Sequence, residues 1–599
     1  MRGKNNPVGS GDNPRAGGRD APPRPGPDAR ANCGDARIRA AFSGAGKLGA
    51  GVIVSRALGF ARDILFAFLL GPATDAFLLA FSLPALFRRL QAEGSLGLGY
   101  AAACARVKAG MPPASVRPFA RAVLGRALLA ACLACLALGF LAAPLVRLLG
   151  PGLPAQAAAD AALWLRLCLP YIPLCLFCAL VGAQAALGGD FRPQAWASAL
   201  FNSLLILAAC AALAVSTPHA PWLLCAGVIL AGMAQALFAL YSITRIERAD
   251  AARPAPSAPP APSAPPAPAG PAAPATPAVA GVRDAARGCL KGLPGGVIGA
   301  AAHHLHSLAA IAFASLISPG AGGALAGAGG ISALYFAGRL MELPLGFASA
   351  VSGLGSLPQL ARLAGAGPAG GAAFARTLAA HIRLSAFFSL PAAAGLFFLA
   401  RPLCAALFGH GAFGPDSVSL CAGVLAGYAP ALPALCAARP LLSAAHALNL
   451  GALPLRASLA GLCTLVLVCA PGLGLIRAAQ GGALTQALVL GLALSVAAWT
   501  TAWLLYRAVT ASLRQSAVSN PDADGASLAR LLARSLARPL LVYSLAAMLM
   551  GLGLAALKTM AAAAGENGGL GPAQTLCLSA ACAIAWPALF ALAGNADAR

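Results

Sequence analysis

The chain has 599 residues, of which 10% are charged and 59% apolar, and its mean hydropathy is +0.77. Its 42 Lys and Arg outnumber its 18 Asp and Glu, giving a formal net charge of +24. Soluble domains carry about 25% charged residues, so this composition excludes a water-soluble enzyme, a disordered regulator and an ordinary nucleic-acid binder. The basic residues stand between runs that need lipid. At roughly 20 apolar residues per crossing, the chain is a polytopic membrane protein.

In chain order, residues 1–46 are rich in Arg, Gly and Pro, have no apolar run before Lys47, and contain Asp12, Asp20, Asp28 and Asp35. They read as a disordered basic tail on the cytoplasmic side and not as a secretory signal. Apolar windows predict spans near 47–70, 74–98, 119–148, 161–187, 194–216 and 221–243. A second set is predicted near 291–317, 330–356, 379–407, 417–447, 451–475, 483–507, 530–556 and 572–594. These fourteen are expected as α-helices, because lipid satisfies no open backbone group and no barrel-like alternation is present. Pro254 to Pro277 has neither charge nor aromatic ring and reads as an extended linker.

The expected organisation is thus an N-lobe of spans 1–6 (47–247) and a Pro/Ala-rich cytoplasmic linker (248–288). A C-lobe of spans 7–12 (289–511) follows, then a helix pair with the tail (512–599). Loop charge sets the orientation. Arg106, Lys108, Arg117, Arg192, Arg245, Arg248, Arg253, Arg283, Arg287, Arg362, Arg376, Arg456 and Arg514 fall in even-numbered loops. Only Arg147, Arg401, Arg477 and Lys558 fall in odd ones, which predicts that both termini are cytoplasmic.

Phe66–Leu70 with Ala76-Phe77-x-x-Ala80-x-x-Leu83 resembles Phe313–Ile317 with Ala333-Leu334-x-x-Ala337-x-x-Leu340, a faint internal repeat. Duplicated halves commonly hold a substrate site between them near the midplane. Cys132-x-x-Cys135 and Cys175-x-x-Cys178 have redox or zinc spacing but lie mid-span among apolar residues, so they read as packing residues.

Charge inside a span costs about 2.5–3.5 kcal/mol on insertion scales. The first two spans nevertheless hold Arg56, Arg62, Asp63, Asp75, Arg88, Arg89 and Glu93, and the eighth holds Ser332, Arg339 and Glu342. Two readings stand open: a shared polar cavity, or snorkelling and structural ion pairs. A cavity lined this way would be cationic and would suit a diphosphate headgroup, since guanidinium forks match phosphate oxygens bidentately. The apolar remainder would tolerate a lipid tail. In the seventh span, His303-His304-Leu305-His306 does not put three rings on one helix face, so His304 is expected as a cavity-lining polar group or packing residue and no metal site is expected.

Three blocks carry a resemblance: Ser55-Arg56-Ala57-Leu58-Gly59-Phe60-Ala61-Arg62-Asp63, Ala73-Thr74-Asp75-Ala76-Phe77, and Leu83-Pro84-x-x-Phe87-Arg88-Arg89-x-x-Ala92-Glu93-Gly94. They resemble the signature of the MurJ/MviN lipid II flippases, within the multidrug/oligosaccharidyl-lipid/polysaccharide exporter superfamily. Leu165-Arg166-x4-Tyr171, Tyr335–Pro344, Phe408–Phe413 and Tyr428–Pro433 extend the likeness over residues 47 to 595. The resemblance implies an all-α protein of two six-helix lobes plus a C-terminal helix pair. It implies movement of the undecaprenyl-diphosphate-linked peptidoglycan precursor to the outer leaflet of the bacterial inner membrane by alternating access.

It places the substrate on Arg56, Arg62, Asp75, Arg88 and Arg339, supported by Ser55, Glu93 and Ser332, with Arg89, His304 and Glu342 as further candidates. The implied partners are lipid II, membrane lipids and the cell-wall synthesis machinery, with no nucleic acid and no cofactor. Gly338 stands where the family often has Asp, and Ala310 lies where some members have an acidic sodium ligand. Membrane potential is therefore expected to drive transport in place of sodium. The alternatives are another lipid-linked oligosaccharide flippase or a drug antiporter of the same superfamily with Asp75 as ion carrier. An embedded transferase or phosphatase would need a cluster of acids, bases or metal ligands that the short loops lack.

Overall fold

An Ala- and Leu-rich chain with few charges buries its backbone polar groups only by bonding them within helices. The computed structural model describes residues 54–92, 95–112, 115–215, 219–251, 281–290, 304–317, 329–353, 356–366, 370–518 and 525–563. The N-terminal tail, the Pro254–Pro277 linker, Glu93, His303 and the fourteenth expected span (572–594) lie outside the described residues.

Helix α1 covers 54–70 and leads through a 3-10 turn, Gly71–Ala73, into α2 (Thr74–Ala92). There follow α3 (Ser95–Gly110), α4 (Val116–Phe140), α5 (Ala142–Leu149), α6 (Ala155–Cys168), α7 (Tyr171–Leu187), α8 (Arg192–Val215) and α9 (Ala220–Ala251). After the linker come α10 (281–290), α11 (Leu305–Ser315), α12 (Gly330–Gly353), α13 (Ser356–Gly365), α14 (Gly371–Phe398) and α15 (Ala400–Phe408). The chain continues with α16 (Pro415–Tyr428), α17 (Leu432–Ala447), α18 (Leu453–Ala478), α19 (Ala483–Val518) and α20 (Gly525–Ala563). The protein is all-helical among the described residues, and nine helices there are long and apolar enough to cross a membrane. The charge-bearing α2 and α12 are not among the nine, so the count of fourteen is an expectation and not a finding.

Proline accounts for where helices differ from the expected spans. The fourth expected span is two helices, α6 and α7, that meet at Pro170. The tenth is α16 and α17 joined by the 3-10 turn Ala429–Ala431 with Pro430 inside it. Proline lacks the N–H that would continue the ladder. The stretch read as a loop after the second span is instead largely α3. Its Tyr100 and Cys104 are buried against Phe119 of α4, Leu180 of α7, and Val282 and Ala286 of α10.

Helices before the linker pack mainly among themselves, α8 along α9 and α7 along α9, with α6 beside α2. Helices after it do likewise: α18 lies along α19, α16 crosses α19, and α14 runs beside α20. The α16–α19 crossing is backbone on backbone, because a Cβ on Gly491 would lie 2.8 Å from the Gly427 Cα, and one on Gly427 would lie 2.9 Å from the Gly491 Cα. The two halves meet where α2 packs on α12 and α5 on α11.

At one end of the bundle this meeting is closed by main-chain bonds. Ala412 N donates to Phe68 O at 3.0 Å, and Gly411, at φ +63°, lets the loop turn onto the Phe68 ring. Gly152 N donates to Ser315 Oγ across the halves at 3.1 Å, and within the second half the Arg477 guanidinium braces the next residue by donating to Leu316 O. Outward, Leu129, Leu133, Leu136 and Phe140 of α4 and Leu541 to Leu552 of α20 present bare apolar faces, as lipid-facing surfaces do.

Candidate functional site

The expensive charges gather midway along the α1–α12 contact. Arg62 and Asp63 are each about 1% exposed, and the Asp63 carboxylate is the hub. Its Oδ1 accepts from Arg62 Nε (3.0 Å), Arg62 Nη2 (2.6 Å) and the Tyr335 hydroxyl (2.8 Å). Its Oδ2 faces Arg339 Nε at 3.0 Å. Arg62 also donates to Asn202 Oδ1 (2.9 Å) and the Tyr335 oxygen (3.1 Å), and lies over the Phe66 and Phe81 rings. Arg339 reaches on to Glu342 Oε2 (2.6 Å) and stacks over Tyr335 at 4.6 Å. Removing one member of such a buried ion pair typically costs about 3–5 kcal/mol, because the other charge remains uncompensated.

Arg89 donates to Glu342 Oε1 at 3.1 Å, so α2 and α12 share that carboxylate. Arg56 is exposed and donates to the Glu342 backbone oxygen (3.2 Å). Arg88 lies over the Phe201 ring at 5.2 Å, and its Nε is buried without a hydrogen-bond partner among the described residues. Five guanidiniums (Arg56, Arg62, Arg88, Arg89 and Arg339) against the two carboxylates of Asp63 and Glu342 leave a net charge of +3. Arg56 and Arg88, which form none of these ion pairs among the described residues, carry two of the three surplus charges, and the third is shared by Arg62, Arg89 and Arg339 around the two carboxylates.

Asp75 stands apart from this cluster, at the closed end. Its Oδ1 accepts from Ser332 N (2.8 Å) and its Oδ2 from Ile331 N (3.3 Å), so α2 supplies the N-terminal cap of α12. A carboxylate there answers both the unpaired N–H groups and the helix dipole. The approach is close: a Cβ on Gly329 would lie 2.6 Å from Asp75 Oδ2. Ser332 is buried, with its hydroxyl donating to Gly329 O (2.8 Å).

The structure thus brings Arg56, Arg62, Arg88, Arg89, Arg339 and Glu342 together on α1, α2 and α12. Ser55 adjoins through its backbone oxygen, which accepts from Asn202 Nδ2 at 2.9 Å. Asp75 and Ser332 belong to the closed end. His304 is buried just before α11, and the contacts above are made without it. Three residues were not singled out from the sequence as site residues. Asp63 carried its signal as an intramembrane acid beside Arg62, and Tyr335 lay within a quoted motif. Asn202, a lone amide in the apolar run of α8, carried none.

A family model described as lipid II flippase MurJ matches residues 65–562. The chain belongs to that family. A probable lipid II flippase MurJ of Bdellovibrio bacteriovorus is 29% identical over 407 residues, covering 66% of this chain and 69% of the relative. One from Buchnera aphidicola of Acyrthosiphon pisum is 25% identical over 411 residues, covering 68% and 73%. A solved lipid II flippase MurJ in an inward closed conformation shares the fold with TM-score 0.66 at 16% identity, over 92% of this chain and 99% of that one. An inward-facing multidrug MATE transporter aligns with TM-score 0.54 at 15% identity over 77% and 96%. As a member of the MurJ family the protein is a multi-pass membrane transporter, with lipid II as the family's substrate.

Proposed function

We propose that this protein moves lipid II, the undecaprenyl-diphosphate-linked peptidoglycan precursor, from the cytoplasmic to the outer leaflet of the bacterial inner membrane. The observation that carries the reading is the pair of unneutralised guanidiniums. Arg56 and Arg88 flank a cluster whose other cations are already held by carboxylates. A diphosphate supplies the missing negative charge, and Arg forks bind it bidentately. Arg62, Asp63, Tyr335 and Arg339 act as the latch between the two six-helix lobes, 47–247 and 289–511, with Ser55, Arg89 and Glu342 supporting; Glu93 is a further substrate position in this reading. Alternating access then requires the closed end to open, which breaks the Asp75 cap on α12 and the Phe68–Ala412 bond.

The loop-charge asymmetry supports cytoplasmic termini and linker, which makes the closed end the outer one. Membrane potential acting on the surplus positive charge is the driving force in this reading, at about 2.3 kcal/mol per charge per 100 mV. The antiporter alternative needs Asp75 to exchange an ion, yet its carboxylate is occupied by the α12 amides. Cell-wall synthesis enzymes are the expected cellular partners.

The test is a flippase-depleted strain expressing Arg56→Ala, Arg88→Ala or the double variant, scored for the leaflet sidedness of lipid II at equal membrane abundance. The expected result is lipid II retained in the inner leaflet. Normal sidedness with the double variant would overturn the assignment.

A further inference from the structure

Arg56 rests against bare backbone on α12. Glycine inside a helix is unfavourable relative to alanine, so its place there calls for a reason. Gly346 lies in the interior of α12 and is buried, although Leu343 and Phe347 on either side are exposed. A Cβ on Gly346 would fall inside the Arg56 guanidinium, against Nη1, Cζ and Nη2. A helical side chain leans over the turn before its own Cα, and Gly346 stands one turn after Glu342. The Arg56 head group therefore fills the space that a side chain at 346 would take. From there its Nη1 donates to the Glu342 carbonyl at 3.2 Å.

The other end of α12 is built in the same way. Among the described glycines, only Gly329 and Gly346 would drive an added Cβ into a charged group, the first against the Asp75 carboxylate and the second against Arg56. In both places the first half supplies the charged side chain and the second half the bare backbone that receives it. The two seats differ in what they leave for a ligand. Asp75 spends both carboxylate oxygens on α12 amides. Arg56 gives Nη1 to the Glu342 carbonyl and remains exposed. A guanidinium has five N–H donors in a fixed fork, so a seated Arg56 keeps that bond and still presents others to phosphate oxygens. Arg89 and Arg339 meet the carboxylate of the same Glu342, which sets the seat beside the rest of the cluster.

We propose, on the diphosphate reading of this site, that Gly346 is a positioning residue for the substrate. Its missing side chain lets the Arg56 guanidinium rest on α12, held by Glu342 O, with its other N–H groups free for the diphosphate. A fork fixed in advance loses less freedom on binding than a mobile one. A methyl at 346 displaces the guanidinium, and because a long arginine gives way easily, the fold survives while the seat is lost.

The test titrates undecaprenyl diphosphate into the purified full-length protein in detergent, reads Kd by native mass spectrometry and measures Tm for each variant. Arg56→Ala should weaken binding about tenfold or more. Gly346→Ala should weaken it about threefold or more with Tm little changed. In the Arg56→Ala background the same substitution should shift Kd by less than about twofold, because no guanidinium is left to displace. Gly338→Ala, the same change on α12 where a Cβ meets nothing within 4 Å, should bind as the wild type does. Should Gly346→Ala alone not be recovered, R56A/G346A should be, since Ala at 56 vacates the seat. Wild-type affinity in Gly346→Ala, a further loss in the double variant, an equal loss in Gly338→Ala, or recovery of neither variant at 346 overturns the seat. An unchanged Kd in Arg56→Ala is a separate result: it rejects Arg56 as a diphosphate ligand, and the role of Gly346 falls with it.

Discussion

Asp63 takes bonds from three side chains and thereby neutralises Arg62 and part of Arg339 within one apolar contact. Asp63→Asn should therefore lower stability by about 3–5 kcal/mol, read as a fall in Tm of the detergent-solubilised protein. Arg88→Ala should change stability by no more than about 0.5–1 kcal/mol, read as a nearly unchanged Tm, because its guanidinium makes no ion pair among the described residues, while abolishing complementation. An unchanged Tm in Asp63→Asn would refute the latch. Both arginines were visible in the sequence as charges in costly places. What the sequence did not show was which of them a carboxylate already holds, since that depends on α1 and α12, 272 residues apart at the Asp63–Tyr335 bond, lying side by side. The early expectation treated Arg56, Arg62 and Arg339 alike as diphosphate ligands. The geometry instead separates an exposed Arg56 from a buried, paired Arg62 and Arg339.

Helix α12 begins beside the first turn of α2, and its first amides are capped across the halves by Asp75. Asp75→Asn keeps the shape but loses the charge, so it should weaken this end by about 1–2 kcal/mol. A cysteine pair replacing Phe68 and Ala412 should then cross-link more slowly than in the otherwise unaltered protein. Faster or equal cross-linking would show that the cap does not hold the end shut. At the α16–α19 crossing, Gly427→Leu must displace the Leu488 and Leu492 backbone and should cost at least about 1–3 kcal/mol of stability, read as a fall in Tm. Gly338→Ala, which meets nothing within 4 Å, should be neutral or slightly stabilising. Helices of this kind were legible from apolar run length alone. Their breaks at Pro170 and Pro430 were hidden because proline is tolerated inside many membrane helices, as Pro344 and Pro391 are here.

Across the whole molecule, the charge distribution between loops makes a separate prediction. Reporter fusions at both termini and within Pro254–Pro277 should all report the cytoplasm, and an external linker would refute the orientation. Transport should slow when the potential is collapsed and should not change when Na⁺ is exchanged for K⁺ at constant potential. Fold class and family were readable from the sequence because composition and the first two spans carry them. The lobe contacts were not, since they depend on which helices become neighbours. The closed end also bears on how such a chain tolerates change. Of its bonds, Phe68 O to Ala412 N is main chain on both sides, and the others each spend one backbone group at Gly152, Leu316, Ile331 or Ser332. Substitutions at Phe68, Ala412, Leu316 or Ile331 leave those carbonyls and amides in place. Mutational drift toward alanine can therefore rewrite much of the surface of this seal while its hydrogen bonds persist, and Asp75, Ser315 and Arg477 are left as the few side chains through which its strength can evolve.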